Sequence, residues 1–188
     1  MSRLLPRVVV GVLCVVLAGP PLLSAQGAPS VATATPTARA EDVRSIDAIL
    51  AALYDVISGP AGQRRDWDRF RSLFVPGARL IPTGAPAGQP ARALVWSPEE
   101  YIQRAGASLE RDGFFEREIG RVTETFGYVT HVFSAYDSRR TASDATPFAR
   151  GINSIQLLND GTRWWVVSIY WDSERAGNPI PERYLKRP

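Results

Sequence analysis

The alternation of apolar and polar residues near the C-terminal end predicts a β-hairpin over residues 148–174. Asn159-Asp160-Gly161 supplies residues that tolerate a positive φ in a tight turn, and both arms are rich in β-branched and aromatic side chains. In the second arm, strict alternation puts Trp164, Val166, Ser168 and Tyr170 on one face and Trp165, Val167, Ile169 and Trp171 on the other. Because both faces are apolar, we expect helices to cover one and a second sheet or subunit to cover the other.

Helical periodicity dominates the first half of the chain. Apolar residues recur every three to four positions over residues 42–58, and Gly59-Pro60 ends this first helix. A second, short helix is predicted from Asp66, which is a suitable N-cap. A third is predicted from Ser97-Pro98-Glu99-Glu100, which combines an N-cap serine, a proline at the first helical position and a capping-box glutamate.

Two short and four longer strands are predicted between and after these helices. Their ranges are residues 78–81, 93–96, 114–122, 125–137, 148–158 and 162–171. This order of elements predicts an α+β fold, in which the helices pack on one face of a strongly bent antiparallel sheet.

The two ends of the chain differ in composition from this domain. Arg3 and Arg7 precede an apolar run, and Leu23-Ser24-Ala25 ends in a small residue that signal peptidase accepts, so residues 1–25 are predicted to be a signal peptide. The run is shorter than the roughly 20 residues that cross a bilayer, so we expect no stable membrane anchor after cleavage and a secreted or periplasmic protein. We assign residues 26–41 to a disordered tether, residues 42–175 to the folded domain and residues 176–188 to a polar tail.

Charge and cysteine content exclude several classes of function. The chain of 188 residues carries a formal charge of +3, and losing Arg3 and Arg7 with the signal peptide leaves about +1. This balance is not that of a nucleic-acid-binding surface, which needs clustered basic residues. Cys14, the only cysteine, lies within the predicted signal peptide, so we expect neither a disulfide nor a thiol nucleophile in the mature domain.

Three phrases in this order of elements resemble the nuclear transport factor 2-like superfamily, which includes the SnoaL-like domains. They are Asp-Trp-Asp-Arg-Phe at 66–70, Leu-Phe-Val-Pro-Gly-Ala-Arg-Leu at 73–80 and Asn-Asp-Gly-Thr-Arg-Trp-Trp-Val-Val at 159–167. The resemblance implies a cone-shaped α+β fold with three helices on the concave face of a curved sheet, a pocket between them, and often a homodimer through the outer sheet face. It implies no single function, because the superfamily mixes isomerases, dehydratases, cyclases and pocket proteins without known chemistry.

The catalytic patterns of these relatives fit only in part. Tyr54 resembles the inward tyrosine of ketosteroid isomerases, but Leu80-Ile81-Pro82-Thr83 stands where their carboxylate base is expected. Tyr54-Asp55 resembles the tyrosine and aspartate of scytalone dehydratase, but the helical wheel turns Asp55 outward and the chain has one histidine where that enzyme uses two. The strand carboxylate of SnoaL-type cyclases has Asp137 as its nearest equivalent.

His131 is the single histidine and the first candidate for acid–base chemistry near neutral pH. A cofactor-independent lyase or isomerase would use His131 with Tyr54 or Asp47 as its catalytic residues. The alternative is a histidine that lines the core and is satisfied by one neighbour. One histidine without cysteines cannot assemble a familiar zinc site, so we predict no metal and no cofactor.

Several aromatic and polar side chains are candidates for the lining of a pocket. The aromatic ones, besides Tyr54, are Trp67, Trp96, Tyr101 and Tyr170, and the polar ones, which fall within apolar strands, are Asn153 and Ser168. Simple core filling is the alternative for the aromatic set. Our leading hypothesis is an exported pocket protein that binds a small apolar or aromatic molecule, and the alternatives are the lyase or isomerase and a structural dimerisation module without a ligand.

Overall fold

The structure is a computed structural model that describes residues 35–86 and 88–186. The predicted signal peptide and most of the predicted tether lie outside the described residues. Among the residues described, no helix is both long enough and apolar enough to cross a membrane.

The described chain contains four α-helices, six strands and one 3-10 helix. The α-helices are α1 (Ala40–Val43), α2 (Ile46–Ile57), α3 (Trp67–Ser72) and α4 (Pro98–Asp112). The strands are β1 (Phe74–Gly84), β2 (Arg92–Ala93), β3 (Phe115–Phe126), β4 (Val129–Arg139), β5 (Ala149–Asn159) and β6 (Trp164–Ser173). The 3-10 helix spans Glu182–Tyr184.

Local sequence explains where the main helices begin. The Ser45 side chain accepts a hydrogen bond from the Ala48 amide at the start of α2. At α4 the Ser97 side chain accepts from the Glu100 amide, and Glu100 Oε2 accepts from the Ser97 amide, so the predicted capping box is present.

The six strands form one curved, open sheet in the order β2-β1-β6-β5-β4-β3. The α+β class and the packing of helices on one sheet face are as predicted, but several details differ. The helix predicted over residues 42–58 is divided into α1 and α2, and the strand predicted at 93–96 is reduced to β2. The β1–β6 pair is parallel, so the sheet is mixed rather than wholly antiparallel. In addition, β1 begins at Phe74, four residues before the predicted strand, because a bulge and Gly77 at φ 84° let the chain pair with β6 earlier.

A bulge in β6 overturns the strict alternation that we predicted for this strand. Leu157 pairs with Val166 and Gln156 pairs with Ser168, so Val167 is an extra residue with no direct partner. Val166 and Ile169 therefore both face the core, and Trp164 and Trp171 pack against it. Tyr170 faces away and is 48% exposed.

The core lies between α2, α3 and the helix-facing side of the sheet. Its fully buried side chains include Ile49 and Leu50 from α2, Phe70 from α3, and Val132 and Ile155 from the sheet. The opposite face is covered in part by the C-terminal segment, where the Tyr184 ring lies 4.8 Å from the Phe133 ring, centroid to centroid. The residues predicted to form a polar tail thus include a segment that packs on the sheet.

Candidate functional site

A cavity of about 210 Å³ lies between the helices and the inner face of the sheet. Most of its wall is apolar and comes from Leu53 and Ile57 of α2, Phe70 of α3, Leu109 of α4, Phe114, and Ile169 of β6. Polar groups from five elements complete the wall, namely Tyr54, Tyr101, Glu116, Tyr136 and Asn153. An apolar pocket with a few convergent polar groups is the usual form of a small-molecule site.

A second, more polar cavity of about 480 Å³ lies on the other side of Tyr54 and Glu116. Both residues line the two cavities, and the larger cavity adds Asp47, Glu118 and Arg121. Tyr54 and Glu116 therefore form the boundary between an apolar and a charged compartment.

A chain of hydrogen bonds fixes Tyr54 in this boundary. The Ser134 hydroxyl donates to Glu118 Oε2 at 2.7 Å, so its single hydrogen is used. The Tyr54 hydroxyl, 2.7 Å from Ser134 Oγ, must then be the donor in that pair. Asn153 Nδ2 in turn donates to the Tyr54 oxygen at 3.2 Å, which completes a directed chain from Asn153 to Glu118.

Glu116 is held in place from two sides. Its Oε2 accepts from the Ser138 hydroxyl at 2.9 Å, and its Oε1 lies 3.5 Å from Asn153 Nδ2. Among the described residues, no lysine or arginine nitrogen lies within 4.0 Å of this carboxylate. Burial raises the pKa of Glu116 to about 7, against the lowering effect of the two hydrogen bonds.

Glu118 differs from Glu116 because it has a cationic partner. Arg121 Nη1 donates to Glu118 Oε1 at 2.9 Å and Nη2 contacts Asp47. Burial still raises the pKa of Glu118, while Ser134 and Arg121 act in the opposite direction. The charge at Glu118 is thus compensated, whereas the charge at Glu116 is not.

The tyrosines of the smaller cavity remain protonated over the physiological pH range. Burial, followed by the charge of Glu116, raises the pKa of both Tyr54 and Tyr101 well above its usual value. Burial also raises the pKa of Tyr136 to about 12. These hydroxyls can therefore donate or accept hydrogen bonds but cannot serve as phenolate bases at neutral pH.

Of the three residues predicted to be catalytic, the structure places His131 apart from Tyr54 and Asp47. Tyr54 and Asp47 both line the larger cavity, but the Asp47 side chain is 80% exposed and is paired with Arg121. His131 alternates along β4 with Val132, a core residue, and so lies on the opposite face of the sheet. Its Nε2 is 3.0 Å from Ser154 Oγ, and neither cavity includes it.

Only some of the residues predicted to bind a ligand line the smaller cavity. Tyr101 and Asn153 line the smaller cavity, whereas the other four do not. Trp67 donates from Nε1 to Glu110 Oε1 at 2.9 Å, and Trp96 lies under the Arg104 guanidinium at 5.4 Å. Ser168 pairs with Gln156 within the sheet, and Tyr170 lines a groove on the outer face.

Sequence reasoning missed Glu116 and Glu118, the two carboxylates of the site. They stand two residues apart on one strand, so they share a face, and this pattern was visible in the sequence. A bulge after Glu118 and the pairing of Glu116 with Ser138 determine which sheet face the two carboxylates share. A local sequence pattern reveals neither feature. Among the described residues, no group of three His, Cys, Asp or Glu side chains could hold a metal ion.

In comparisons with known proteins, no protein-family model and no curated protein matches this chain. Solved structures do resemble it. One is a protein of unknown function with a cystatin-like fold from Nostoc punctiforme, which is 12% identical, with a TM-score of 0.52 over 70% of this chain and 90% of that chain. Another is a protein from Kribbella flavida, which is 11% identical, with a TM-score of 0.50 over the same shares of the two chains.

An NTF2-like protein of unknown function from Methylobacillus flagellatus is also similar, at 12% identity and a TM-score of 0.44, over 70% of this chain and 95% of that one. Likeness at such low identity shows the fold alone. The described chain has the α+β fold that the sequence predicted, with helices packed on one face of a curved, mostly antiparallel sheet, and the Nostoc punctiforme protein with a cystatin-like fold is similar to it.

Proposed function

We propose that this protein binds a small, largely apolar molecule in the 210 Å³ cavity between the helices and the sheet. The observation that carries this proposal is the composition of the wall, in which apolar side chains surround a few polar groups fixed by hydrogen bonds. An apolar cavity of about 150 Å³ is sufficient to bind benzene. A single aromatic ring with a short substituent therefore fits the volume available here.

The apolar part of the wall supplies the binding free energy and the polar part supplies orientation. Burial of apolar ligand surface contributes roughly 25 cal/mol per Å². Asn153 and Glu116 stand on the sheet side of the cavity, opposite Leu109 and Tyr101 of α4. A ligand with one polar end would place that end towards the sheet.

A second candidate function, a cofactor-independent lyase or isomerase, is favoured by Glu116. A carboxyl group with a pKa of about 7 is suited to take up and release a proton near neutral pH. In this scheme Glu116 takes the acid–base role that the sequence suggested for His131. Replacement of Glu116 by Gln would abolish turnover of a substrate without preventing its binding.

We also propose that residues 1–25 direct export and are removed, so that the protein acts outside the cytoplasm. The apolar run and the small residue at Ala25 support this proposal. Mass spectrometry of the protein recovered from a secreting host tests it, because the expected mature chain begins at Gln26. Recovery of the intact chain alone, in the cytoplasmic fraction, would contradict it.

Isothermal titration of the full chain with benzyl alcohol tests the binding proposal. Leu109→Trp fills the cavity from α4 and is expected to lower the affinity at least tenfold. Leu94→Trp is the matched control, because Leu94 is 50% exposed and does not line the cavity. Equal binding by both variants, with both folded by circular dichroism, would show that the ligand binds elsewhere.

A further inference from the structure

Three side chains in the wall of the smaller cavity offer hydrogen-bond acceptors to a ligand. Both hydrogens of the Asn153 amide point to protein atoms, one to Tyr54 and one to Glu116, which leaves the Asn153 Oδ1 oxygen free to accept. The hydrogen of Tyr54 is used on Ser134, so Tyr54 can offer only a lone pair. The Glu116 carboxylate adds further acceptor positions.

These acceptors are accessible rather than sealed in the protein. In the described part of the chain, Arg121 Nε is the only enclosed side-chain nitrogen or oxygen without a hydrogen-bond partner. Asn153 Oδ1 accepts no hydrogen bond from a described residue and yet is not enclosed, so it borders open space in the cavity that its side chain lines. The same holds for the Tyr101 hydroxyl, which can also accept.

None of the described residues that line the cavity carries a positive charge to balance Glu116. The arginines nearest along β3 are engaged elsewhere, since Arg117 pairs with Asp137 at 3.1 Å and Arg121 pairs with Glu118 at 2.9 Å. An uncompensated carboxylate in an apolar cavity is costly, and a cationic ligand would relieve that cost. An anionic ligand would increase it.

Aromatic rings form much of the remaining wall. Phe70, Tyr101, Phe114, Tyr136 and Trp171 all line the cavity, and the Phe70 and Tyr101 rings are stacked at 5.5 Å. Aromatic faces attract cations as well as apolar groups, and the effect is larger where water is excluded. The wall therefore suits a cation that carries an apolar body.

We infer that the ligand of this cavity is a small protonated amine with an aromatic or aliphatic body, whose ammonium group binds Glu116 and Asn153. An ammonium group has three N–H donors and no acceptor, which matches the acceptors on the sheet side of the cavity. This inference rests on the proposed function, because it names the class of molecule that the same cavity binds.

Titration of the full chain with four probes of nearly equal size tests the inference. The probes are benzylamine, benzyl alcohol, toluene and benzoate, used at pH 8, where Glu116 is mostly ionised and an alkyl amine remains protonated. We expect benzylamine to bind at least about tenfold more tightly than benzyl alcohol or toluene, and benzoate to bind most weakly, since only the amine brings a positive charge to the Glu116 carboxylate.

Two variants show whether the preference comes from Glu116. Glu116→Gln is expected to lower the affinity for benzylamine about tenfold or more and to change the affinity for toluene less than threefold. Glu124→Gln makes the same chemical change at an exposed position on the same strand and is expected to keep the preference.

The outcomes distinguish a failure of the amine preference from a failure of the proposed binding function. If benzyl alcohol or toluene binds as tightly as benzylamine, or if Glu116→Gln keeps the preference, the inference is wrong and the binding function stands. If none of the four probes binds, the proposed binding function itself is wrong and the inference falls with it.

Discussion

Glu116 brings a charge into a mostly apolar cavity, and its pKa of about 7 makes that charge depend on pH near neutrality. The pKa of this carboxyl is raised above its ordinary value in the folded state. Stability from this group is therefore fully present below about pH 4.5 and is lost as pH rises through about 7. Over that pH range Glu116 is ionised in the unfolded chain, whereas burial keeps it largely protonated in the folded chain.

We predict that Glu116→Gln removes this pH dependence. The free energy of unfolding of the variant, relative to that of the natural protein, should increase as pH rises from 5 to 8, by up to roughly 3 kcal/mol. Urea denaturation at both pH values measures the difference. Carboxylates that do not act on Glu116 and whose pKa is lowered, such as Asp42, contribute equally in both proteins and cancel in the comparison. A difference that stays constant with pH would mean that Glu116 is not buried as described.

Tyr54→Phe tests the hydrogen-bond chain that crosses the site. The change removes one of the two acceptors of the Asn153 amide and the donor to Ser134 Oγ, both in buried positions. We expect a loss of roughly 1–3 kcal/mol in the free energy of unfolding, measured by urea denaturation. Tyr128→Phe removes the same hydroxyl from a side chain that is 70% exposed, and it should change the value by less than about 0.5 kcal/mol. Equal values for the two variants would contradict the network.

At the scale of elements, Arg65 joins the two helices that frame the cavity. Its guanidinium donates to the carbonyl oxygens of Ile57 at 3.0 Å, Gly59 at 2.6 Å and Leu109 at 2.9 Å. Ile57 is the last residue of α2 and Leu109 lies in the last turn of α4, so one side chain holds both C-terminal ends. Positive charge there also suits the helix dipoles.

Arg65→Met should release these helix ends, because it removes the donor that the buried carbonyl groups of Ile57 and Leu109 share. We expect the free energy of unfolding to fall by about 3 kcal/mol or more. Arg64→Met is the control, because Arg64 is an exposed neighbour, and its melting temperature should stay close to that of the natural protein. Thermal unfolding followed by circular dichroism compares the two, and similar melting temperatures would show that Arg65 does not join the helices.

Elements set by local signals were predictable from the sequence, and elements set by distant pairing were not. The capping box at Ser97 and the turn at Asn159-Asp160-Gly161 depend on neighbouring residues, and both predictions agree with the structure. The parallel pairing of β1 with β6 and the bulge at Val167 depend on strands far apart in the chain. Periodicity within one strand contains no information on either feature.

The same distinction between local signals and distant strand pairing explains which residues of the site could be predicted. Tyr54 was predicted to correspond to the inward tyrosine of ketosteroid isomerases, and it does face inward from α2. His131 was expected near it from chemistry alone, but the register of β4 against β3 and β5 puts it on the other face. Glu116 needed the same register to be recognised.

For the whole molecule, the outer face of the sheet is the surface that we propose for a homodimer. Val122 and Tyr170 are 37% and 48% exposed there, which is unusual for apolar strand residues on one face. We predict a dimer by multi-angle light scattering, converted to a monomer by Tyr170→Glu. Phe126→Glu, at a side chain that is 90% exposed at the β3–β4 turn, should leave the dimer intact. A monomer at every concentration would contradict the proposal.

The central claim is that a small molecule binds between the helices and the inner face of the sheet. Nuclear magnetic resonance of the full chain, titrated with benzylamine, tests it directly because each residue reports its own environment. We predict that the largest shifts fall on residues lining the smaller cavity, among them Leu53, Tyr101, Leu109, Asn153 and Ile169. Shifts confined to the outer face, around Phe133 and Tyr170, or no shifts at all, would contradict the claim.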